Sequence, residues 1–460
     1  MITPRILQRK DHLISRRDIQ GEALTVLYGL HEHGYQAYLA GGGVRDLMLG
    51  RTPKDFDVVT NATPNEVKRV FRNSRLIGRR FRLAHVYFGL TNIEVATFRA
   101  LQNPDNPDDT QQPHFKTHDG LVVRDNVWGT PEEDALRRDF TINAVFYNIA
   151  DFTLIDFVGG LDDLKANNIR FIGDPVTRCA EDPVRMIRAV RFAAMLGMTI
   201  EHATSEGIRG SAERLALADR SRLYEEIQKL FFCGSAQAAY GLMRYYGLLE
   251  VLLPDLGSWL GRKPCTARCR RVSDALKFLD LCKRDGRIVS PALLFALLLG
   301  GAVEAEAAAD IHRGIHSGLA VYNAAMAHCK RLSERVQVPN LVRQRTAEIL
   351  GCQLRLVADG GRRAEALAEQ PFFAEALAYA EFSLHGKHGA EAIMVQLRKL
   401  AAAHLPTAGD GRPARARRPR RVSSSRRRGP RAESAHGALE DGVHEIQKSA
   451  VDEDQQQLPF

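Results

Sequence analysis

Apolar residues in the first part of the chain recur with two different spacings. Residues 38–40 form a short apolar run, and residues 55–58 alternate polar and apolar side chains before Val59, which is typical of strands. Helical spacings are found at 22–33, from Val44, from the capping box at 63–66 and from about residue 130. Further strands are predicted at 81–88 and 93–98, a polar loop at 100–120 and a hairpin at 150–173. The N-terminal part therefore combines a sheet with helices.

From about residue 195 to 405 the apolar spacing is helical almost throughout. The predicted helices lie at 223–232, 238–246, 275–282, 291–299, 342–356 and 364–384. Residues 406–460 show no apolar period, which predicts disorder. The chain is therefore predicted to be an α+β protein, with a mixed sheet and helices at the N-terminus, an all-α region after it, and a disordered basic tail.

The composition of the chain argues that it is neither a membrane protein nor a secreted protein. The longest apolar stretch, 292–303, is too short to span a bilayer, so a buried helix and no membrane partner are predicted. The start of the chain lacks the apolar core of a secretory signal. Seven cysteines without a regular spacing suit a reducing compartment, and a cytoplasmic location is predicted.

The net charge of +9 is concentrated near the C-terminus. Residues 411–431 contain ten arginines and no acidic residue, whereas residues 432–460 contain seven acidic residues and one lysine. The rest of the chain is only mildly basic. A dense arginine block of this kind indicates a polyanionic partner.

Residues 38–60 combine a glycine turn with a pair of carboxylates. Asp55 and Asp57 share one face of the predicted strand, and a divalent cation would relieve the repulsion between them. The turn at Gly41–Gly43 precedes a helix and offers backbone N–H groups to phosphates. Taken singly, an Asp-x-Asp is more often a solvated strand edge, and a glycine run is only a turn. Their combination favours a site for a metal and substrate phosphates.

Two later segments place arginines beside carboxylates. Residues 137–139, Arg-Arg-Asp, follow the helix that begins near residue 130. Residues 185–191 carry three arginines on one helical stripe, behind the acidic pair 181–182, and Asp182 is expected to cap this helix. Surface charges and a solvated basic face are the alternatives. The functional interpretation is a phosphate-binding arginine in the first segment and a template for a nucleotide base in the second.

Together these segments resemble the class II nucleotidyltransferases, which include the bacterial poly(A) polymerases and the CCA-adding tRNA nucleotidyltransferases. The shared motifs are Gly-Gly-x-Val-Arg-Asp at 41–46, Asp-x-Asp at 55–57, Arg-Arg-Asp-Phe-x-x-Asn at 137–143 and Glu-Asp-Pro-Val-Arg at 181–185. The resemblance covers residues 11 to about 385 and is strongest between 20 and 195. One departure is Ala180, where the family often has arginine.

The resemblance implies a polymerase-β-like palm in the sheet and five segments along the chain. These are a basic arm (1–20), a catalytic nucleotidyltransferase head (21–173), a helical neck that recognises the base and RNA (174–250), a helical body that binds RNA (251–405), and the tail (406–460).

The resemblance also implies two Mg²⁺ ions and ATP as the substrate. Asp55 and Asp57 would be catalytic and would hold both ions. Asp139 would be a third catalytic carboxylate, with Glu94 as a weaker candidate. The residues expected to bind ATP are Gly42, Gly43, Arg45 and Arg138 at its triphosphate, and Asp182, Arg185, Arg188 and Arg191 at its base and ribose.

Four segments resemble the poly(A) polymerases more than the CCA-adding enzymes. They are the segment Leu76–Val86 with Gly-Arg-Arg-Phe at 78–81, the entry segment 15–19, the helical region 339–356, and the arginine-rich tail. They imply template-independent transfer of AMP from ATP to RNA 3′-hydroxyls with release of pyrophosphate, promoting RNA processing and decay. The implied partners are single-stranded RNA 3′ ends of little sequence preference, and RNA-decay proteins are further candidates. A CCA-adding enzyme and a catalytically inactive RNA-binding scaffold are the alternatives.

Deleting residues 406–460 is expected to weaken RNA binding and to flatten its salt dependence, because fewer phosphates are neutralised and fewer counterions released. The measurement is the RNA dissociation constant at several salt concentrations, for the full chain and the deletion variant. Nucleotide transfer should continue in the variant. An unchanged salt slope would contradict a role of the tail in phosphate binding.

Overall fold

The computed structural model describes residues 3–78, 82–101, 127–261, 266–287, 289–358 and 364–404. All of them belong to one compact unit, Met1–Thr407. Three predicted features lie outside the described residues: Arg79–Phe81 of the Gly-Arg-Arg-Phe motif, nearly all of the 100–120 loop, and the 406–460 tail.

The centre of the N-terminal part is an eight-stranded mixed sheet. Its strands are β1 (Arg5–Leu7), β2 (Ala37–Ala40), β3 (Asp57–Thr60), β4 (Ser74–Ile77), β5 (Leu83–Phe88), β6 (Thr91–Thr97), β7 (Val145–Asn148) and β8 (Leu154–Asp156). They lie in the order β1-β8-β7-β2-β3-β6-β5-β4. The pair β3–β6 is parallel and the other neighbouring pairs are antiparallel. The predicted mixed sheet is confirmed.

Helices cover the sheet and connect its strands. They are α1 (Gly21–Glu32), α2 (Gly42–Met48), α3 (Pro64–Val70), α4 (Pro131–Arg137) and α5 (Gly160–Ala166). Thr63 and Thr130 both form complete capping boxes with the glutamate three residues later, so α3 and α4 begin where the sequence predicts. The buried stripe of α1, which includes Val26 and Leu30, packs in the same core as Val95 of β6.

The segment 150–173 is not the predicted hairpin. It contains β8, then α5, then a two-residue strand, β9 (Asn168–Ile169). The reason lies in the Asp156 carboxylate, which accepts backbone N–H groups from Val158, Gly159, Gly160 and Leu161 at 2.9–3.0 Å. This side chain turns the backbone directly into a helix, where the sequence analysis predicted a hairpin.

The region after residue 174 is almost wholly helical, as predicted. Its helices are α6 (Pro175–Glu181), α7 (Val184–Leu196), α8 (His202–Ser211), α9 (Arg220–Phe231), α10 (Ala236–Tyr245), α11 (Leu248–Leu252), α12 (Pro254–Leu260), α13 (Ala267–Arg284), α14 (Pro291–His312), α15 (Ser317–Leu332), α16 (Asn340–Gly351), α17 (Gln353–Val357), α18 (Glu365–Ala368), α19 (Phe373–Leu384) and α20 (Ala390–His404). One short strand, β10 (Thr199–Ile200), pairs in parallel with β9.

Helix α14 is the apolar helix that the sequence indicated, and it is longer than predicted. By length and composition alone its 22 residues could cross a membrane. However, 72% of its most apolar 18-residue stretch is buried inside the protein. Residues 292–303 are all buried. Neighbouring helices α15, α16 and α19 pack against it, so it is the core helix of the C-terminal region.

Gly160→Ala is expected to destabilise the N-terminal part by about 1–3 kcal/mol. The new Cβ would overlap the carbonyl oxygen of Thr141 and lie 2.9 Å from Val145 Cγ2, so backbone must shift. Gly210→Ala is the matched control, because a Cβ there meets nothing within 4 Å and Gly210 lies in helix α8. The control should leave stability unchanged or raise it by about 0.4–1 kcal/mol. Thermal and denaturant unfolding of both variants measure the difference, and equal midpoints would contradict tight packing of α5.

Candidate active site

A crevice of about 460 Å³ lies where the start of β3 meets α7 and α9. Eight of the eleven predicted site residues line it, and most of its other lining residues were not predicted. The lining residues are Gly41, Gly42, Arg45, Asp57, Arg138, Asp139, Asn143, Asp182, Arg185, Arg188, Phe192, Arg222 and Glu226. The crevice therefore gathers side chains from four sequence motifs that lie up to about 140 residues apart.

The glycine turn places the backbone against the two sides of the crevice. Gly41 has φ +73°, a conformation that side-chain-bearing residues rarely adopt, and it precedes helix α2. A Cβ at Gly41 would lie 3.5 Å from Asp57 Oδ2 and 3.5 Å from Arg138 Nη1. Both are ordinary contact distances, so the positive φ, and not a lack of space, is what requires glycine at this turn.

Asp57 is a crevice carboxylate with a raised proton affinity. The Asp57 residue is partly open to solvent, but the protein atoms around its carboxylate displace water and, together with Glu94 and Asp55, raise its pKa to about 6, although Arg138 works in the opposite direction. Glu94 is its direct partner across the parallel pair β3–β6. This crowding of negative charge would be relieved by a bound cation.

Asp55 lies just before β3 and not on it. Pairing begins at Asp57 because its partner Ala40 is the last residue of β2, after which Gly41 turns away. The predicted strand start is therefore two residues too early. Asp55 is exposed and is absent from the crevice lining, but it remains close enough to raise the pKa of Asp57.

Asp139 is an ion-pair partner in this structure. Arg188 donates through Nε at 2.6 Å and lies 2.5 Å away through Nη2. The other oxygen accepts from the Phe140 backbone at 2.9 Å and from Asn143 Nδ2 at 3.4 Å. Burial alone would raise the pKa of Asp139, but Arg188 and these hydrogen bonds hold it below its ordinary value.

Arg45 and Arg138, predicted to bind the triphosphate, are anchored to the protein. Arg45 is buried and donates to Asp46 Oδ1 at 2.8 and 2.9 Å and to Asn143 Oδ1 at 2.9 Å. Arg138 donates to Asp134 Oδ2 at 2.9 and 3.1 Å. Both line the crevice with fixed orientations.

The predicted base-binding residues also have protein partners. Asp182 accepts two hydrogen bonds from Arg222, at 3.0 and 2.8 Å, and a weaker one from the Val184 backbone at 3.3 Å. The predicted cap is wrong, because Pro183 occupies the N-cap position of α7 and Asp182 ends α6. Arg185 donates to Glu181 at 2.9 Å and to the Arg178 carbonyl at 3.0 Å.

Gly43 and Arg191 are the other two predicted residues outside the crevice lining. A Cβ on Gly43 would approach Leu39, the Asp55 carbonyl and Phe56 at 3.3–3.4 Å, so this glycine serves packing of α2 against the strands. Arg191 lies over the Phe192 ring at 4.6 Å.

The sequence analysis missed Phe192, which lines the crevice, and three charged residues. Arg178 donates to the carbonyl oxygens of Arg137 and Arg138, at 2.7 and 2.5 Å, and so holds the loop that carries Asp139. Arg222 and Glu226 reach the crevice from α9. The sequence signal for the α9 residues was an acid four positions after an arginine, here Glu226 after Arg222. The sequence contains many pairs with this spacing, so the signal could not single these two out.

Arginines also crowd one another beside the crevice, where Arg178 contacts the backbone of Arg137 and Arg138 and accepts a hydrogen bond from Arg185. Burial together with Arg99, Arg178 and Arg185 lowers the pKa of Arg137 to about 9. Burial and Arg185 lower the pKa of Arg178 to about 10. These lowered pKa values mean that the positively charged forms of Arg137 and Arg178 are less stable than usual. A bound anion would stabilise those charged forms.

A metal at this site would depend on few protein ligands. In the part of the chain that the structure describes, no group of three or more His, Cys, Asp and Glu side chains is arranged to hold a metal ion. Asp57, with Asp55 and Glu94 nearby, is the carboxylate set that could contribute ligands. A magnesium ion commonly uses one or two carboxylates and completes its shell with substrate phosphates and water.

Known families match the chain in three segments. The model of the poly(A) polymerase head domain matches residues 37–170. A second family model, described as the probable RNA and SrmB-binding site of polymerase A, matches residues 197–260. A third, described as the polymerase A arginine-rich C-terminus, matches residues 313–432.

Individual relatives cover most of the chain. Poly(A) polymerase I of Salmonella typhimurium is 46% identical over 372 residues, which cover 80% of this chain and 79% of that protein. The enzyme of the same name from Escherichia coli O6:H1 is 45% identical over the same shares. A CCA-adding enzyme of Bacillus velezensis is 32% identical over 62% of this chain and 74% of its own length.

Among solved structures, the Bacillus stearothermophilus CCA-adding enzyme in complex with CTP superposes with a TM-score of 0.57 at 25% identity. The match covers 84% of this chain and 83% of that one. The fold is thus shared with CCA-adding enzymes, whereas the higher sequence identity lies with the polyadenylating relatives. The chain belongs to the bacterial poly(A) polymerases of the nucleotidyltransferase family.

Proposed function

We propose that the protein adds AMP from ATP to RNA 3′-hydroxyls without a template, releasing pyrophosphate, with Mg²⁺ as cofactor. The observation that carries the proposal is the opposition of charges within one crevice. On one side stands Asp57, whose pKa is raised by loss of water and by neighbouring carboxylates, and the arginines Arg138, Arg185, Arg188 and Arg222 line the same crevice. A magnesium-bound nucleoside triphosphate has the complementary cation and anion.

The residues present fit a divalent cation. Asp57 and Asp55 would hold it, and Glu94 would support them from the adjacent strand. When bound, Mg²⁺ activates the attacking hydroxyl and stabilises the leaving oxygen. The donor set is oxygen only, which suits Mg²⁺ better than a softer metal.

The triphosphate would lie along the turn at Gly41–Gly42 and the arginines beside it. Gly41 leaves the backbone open to a ligand, and Arg138 is positioned by its two hydrogen bonds to Asp134. Positioning of this kind reduces the entropy cost of bringing the hydroxyl and α-phosphate in line. Preoriented positive charge stabilises the transition state without reorganisation.

Adenine selection is proposed for Asp182 and Arg185. Both line the crevice, and both offer hydrogen-bonding groups suited to a base edge. In this structure Arg222 engages both oxygens of Asp182, so the base would either share Asp182 with Arg222 or replace one of its bonds.

RNA contacts and cellular setting are further parts of the proposal. The family model matching residues 197–260 is described as a probable RNA and SrmB-binding site, which supports this helical region as a surface that contacts RNA and a protein partner. RNA-decay proteins are the class of partner that we propose. The six cysteines within the described residues are free thiols, which suits the cytoplasm.

Asp57→Asn is expected to lower the polymerisation rate about 100-fold or more, because it removes a charged group that acts on the transition state. Without divalent cations the variant should unfold at the same or a higher temperature, since the amide relieves repulsion with Glu94 and Asp55. Asp162→Asn is the control, because Asp162 is exposed and pairs only with the exposed Arg5 among the contacts that the structure describes. Primer extension and thermal unfolding measure both effects. Full activity of Asp57→Asn would refute the metal role.

Primer extension with each nucleoside triphosphate separates the candidate functions. An unstructured RNA primer should acquire long tails with ATP and little or nothing with CTP, GTP or UTP. Addition of C-C-A to tRNA only, stopping at three nucleotides, would establish a CCA-adding enzyme. No incorporation of any nucleotide would favour the non-catalytic scaffold.

A further inference from the structure

A row of side chains leads from Asp57 across the sheet to its edge. Asp57 of β3 lies opposite Glu94 of β6, Glu94 lies opposite His85 of β5, and His85 lies opposite Arg75 of β4. Residues directly opposite each other on neighbouring strands share one face of a sheet. The row therefore starts in the crevice and continues along the outer face.

A second row lies beside the first. Tyr87 of β5 is opposite Asn92 of β6, two residues along each strand from His85 and Glu94 and hence on the same face. We call Arg75, His85, Tyr87 and Asn92 the outer strip. The alternate residues of the same strands are buried on the other face, with Val86 and Ile93 at most 1% exposed.

Contacts within the outer strip fix its polar and planar groups. Asn92 Nδ2 donates to His85 Nδ1 at 3.1 Å, and His85 Nε2 lies 3.6 Å from Glu94 Oε2. The Arg75 guanidinium lies over the Tyr87 ring, 5.6 Å from its centroid. Arg75 and Asn92 are exposed, and Tyr87 and His85 are partly exposed.

We propose that the outer strip binds the 3′-terminal nucleotides of the single-stranded RNA primer, an inference that rests on the proposed polyadenylation. Strands lie about 4.8 Å apart, so His85 is about 10 Å from Asp57. A primer whose 3′-hydroxyl reaches Asp57 can leave the crevice along this face. Planar side chains stack on bases without sequence preference, and Arg75 supplies donors for a phosphate.

The outer strip also accounts for a motif that the crevice leaves unused. His85 lies in the segment Leu76–Val86, which resembles poly(A) polymerases and not CCA-adding enzymes, and Arg75 immediately precedes it. The other shared motifs contribute residues to the crevice lining, whereas none of the described residues of 76–86 does. An enzyme that accepts many RNA ends needs a local contact with the terminal nucleotides, because it cannot measure the shape of one substrate.

Kinetics of four variants of the full chain test the proposal. Tyr87→Ala is expected to raise the KM for an oligoadenylate primer about tenfold, a typical effect of removing one stacked base contact, with kcat and the KM for ATP within about twofold of wild type. Tyr87→Phe keeps the ring and should restore the primer KM. Arg75→Ala should raise the primer KM, whereas Arg69→Ala should leave it unchanged. Arg69 has the same charge and is exposed on α3, which packs on the opposite face of the same strands.

Crosslinking locates the primer independently of turnover. An oligoadenylate with a photoreactive 3′-terminal nucleotide, irradiated with the full chain in the absence of ATP, should crosslink within residues 83–92. If wild type makes no tails, the polyadenylation proposal fails, while crosslinks still decide the binding site. Should Tyr87→Ala prove unstable, Arg75→Ala decides the kinetic test, because its side chain is exposed. An unchanged primer KM for Arg75→Ala, or crosslinks only elsewhere, for instance within 197–260, would overturn the proposal.

Discussion

The crevice depends on the ion pair between Arg188 and Asp139. Its 2.5 and 2.6 Å contacts join helix α7 to the loop that follows α4, two elements that are distant in sequence. Asp139 stays charged despite burial because Arg188 outweighs the loss of water. Removing one partner of a buried pair typically costs about 3–5 kcal/mol, since the other charge remains without compensation. Arg178 strengthens the same junction by donating to two carbonyl oxygens of the loop.

Around this junction, charges of both signs are unfavourably crowded. Asp57 has carboxylates as neighbours, and Arg137 has arginines as neighbours. Each cluster would be unfavourable in isolation, and both would be stabilised by a ligand that contains a cation and a polyanion together. Such a site is oriented for its substrate before binding, which is how electrostatic catalysis avoids a reorganisation cost. In the free protein, hydrogen bonds to neighbouring groups keep the carboxylates and the arginines in place. Those from Arg138 to Asp134 are an example.

Local signals predicted much of the fold. The capping boxes at Thr63 and Thr130 mark real helix starts, because a side-chain cap acts within four residues and needs no distant partner. The segment 150–173 was mispredicted for the opposite reason. Its glycines suggested a turn, but the Asp156 carboxylate bonds four backbone N–H groups and starts a helix, a geometry that depends on where the strand ends.

The sequence by itself determined the chemistry: a glycine turn, an Asp-x-Asp, an Arg-Arg-Asp and an arginine-rich helix, with motifs long enough to indicate a nucleotidyltransferase. Only the tertiary structure decided which of those groups meet and what state each is in. It separated Asp55 and Gly43 from the crevice lining, paired Asp139 with Arg188, and brought in Arg222 and Glu226 from α9. Strand register also placed Asp57, Glu94, His85 and Arg75 in one row across the sheet. The reason is physical: residue type fixes which proton or hydrogen bond a group can offer, whereas burial, register and long-range pairing fix which partner it has and whether it keeps its charge.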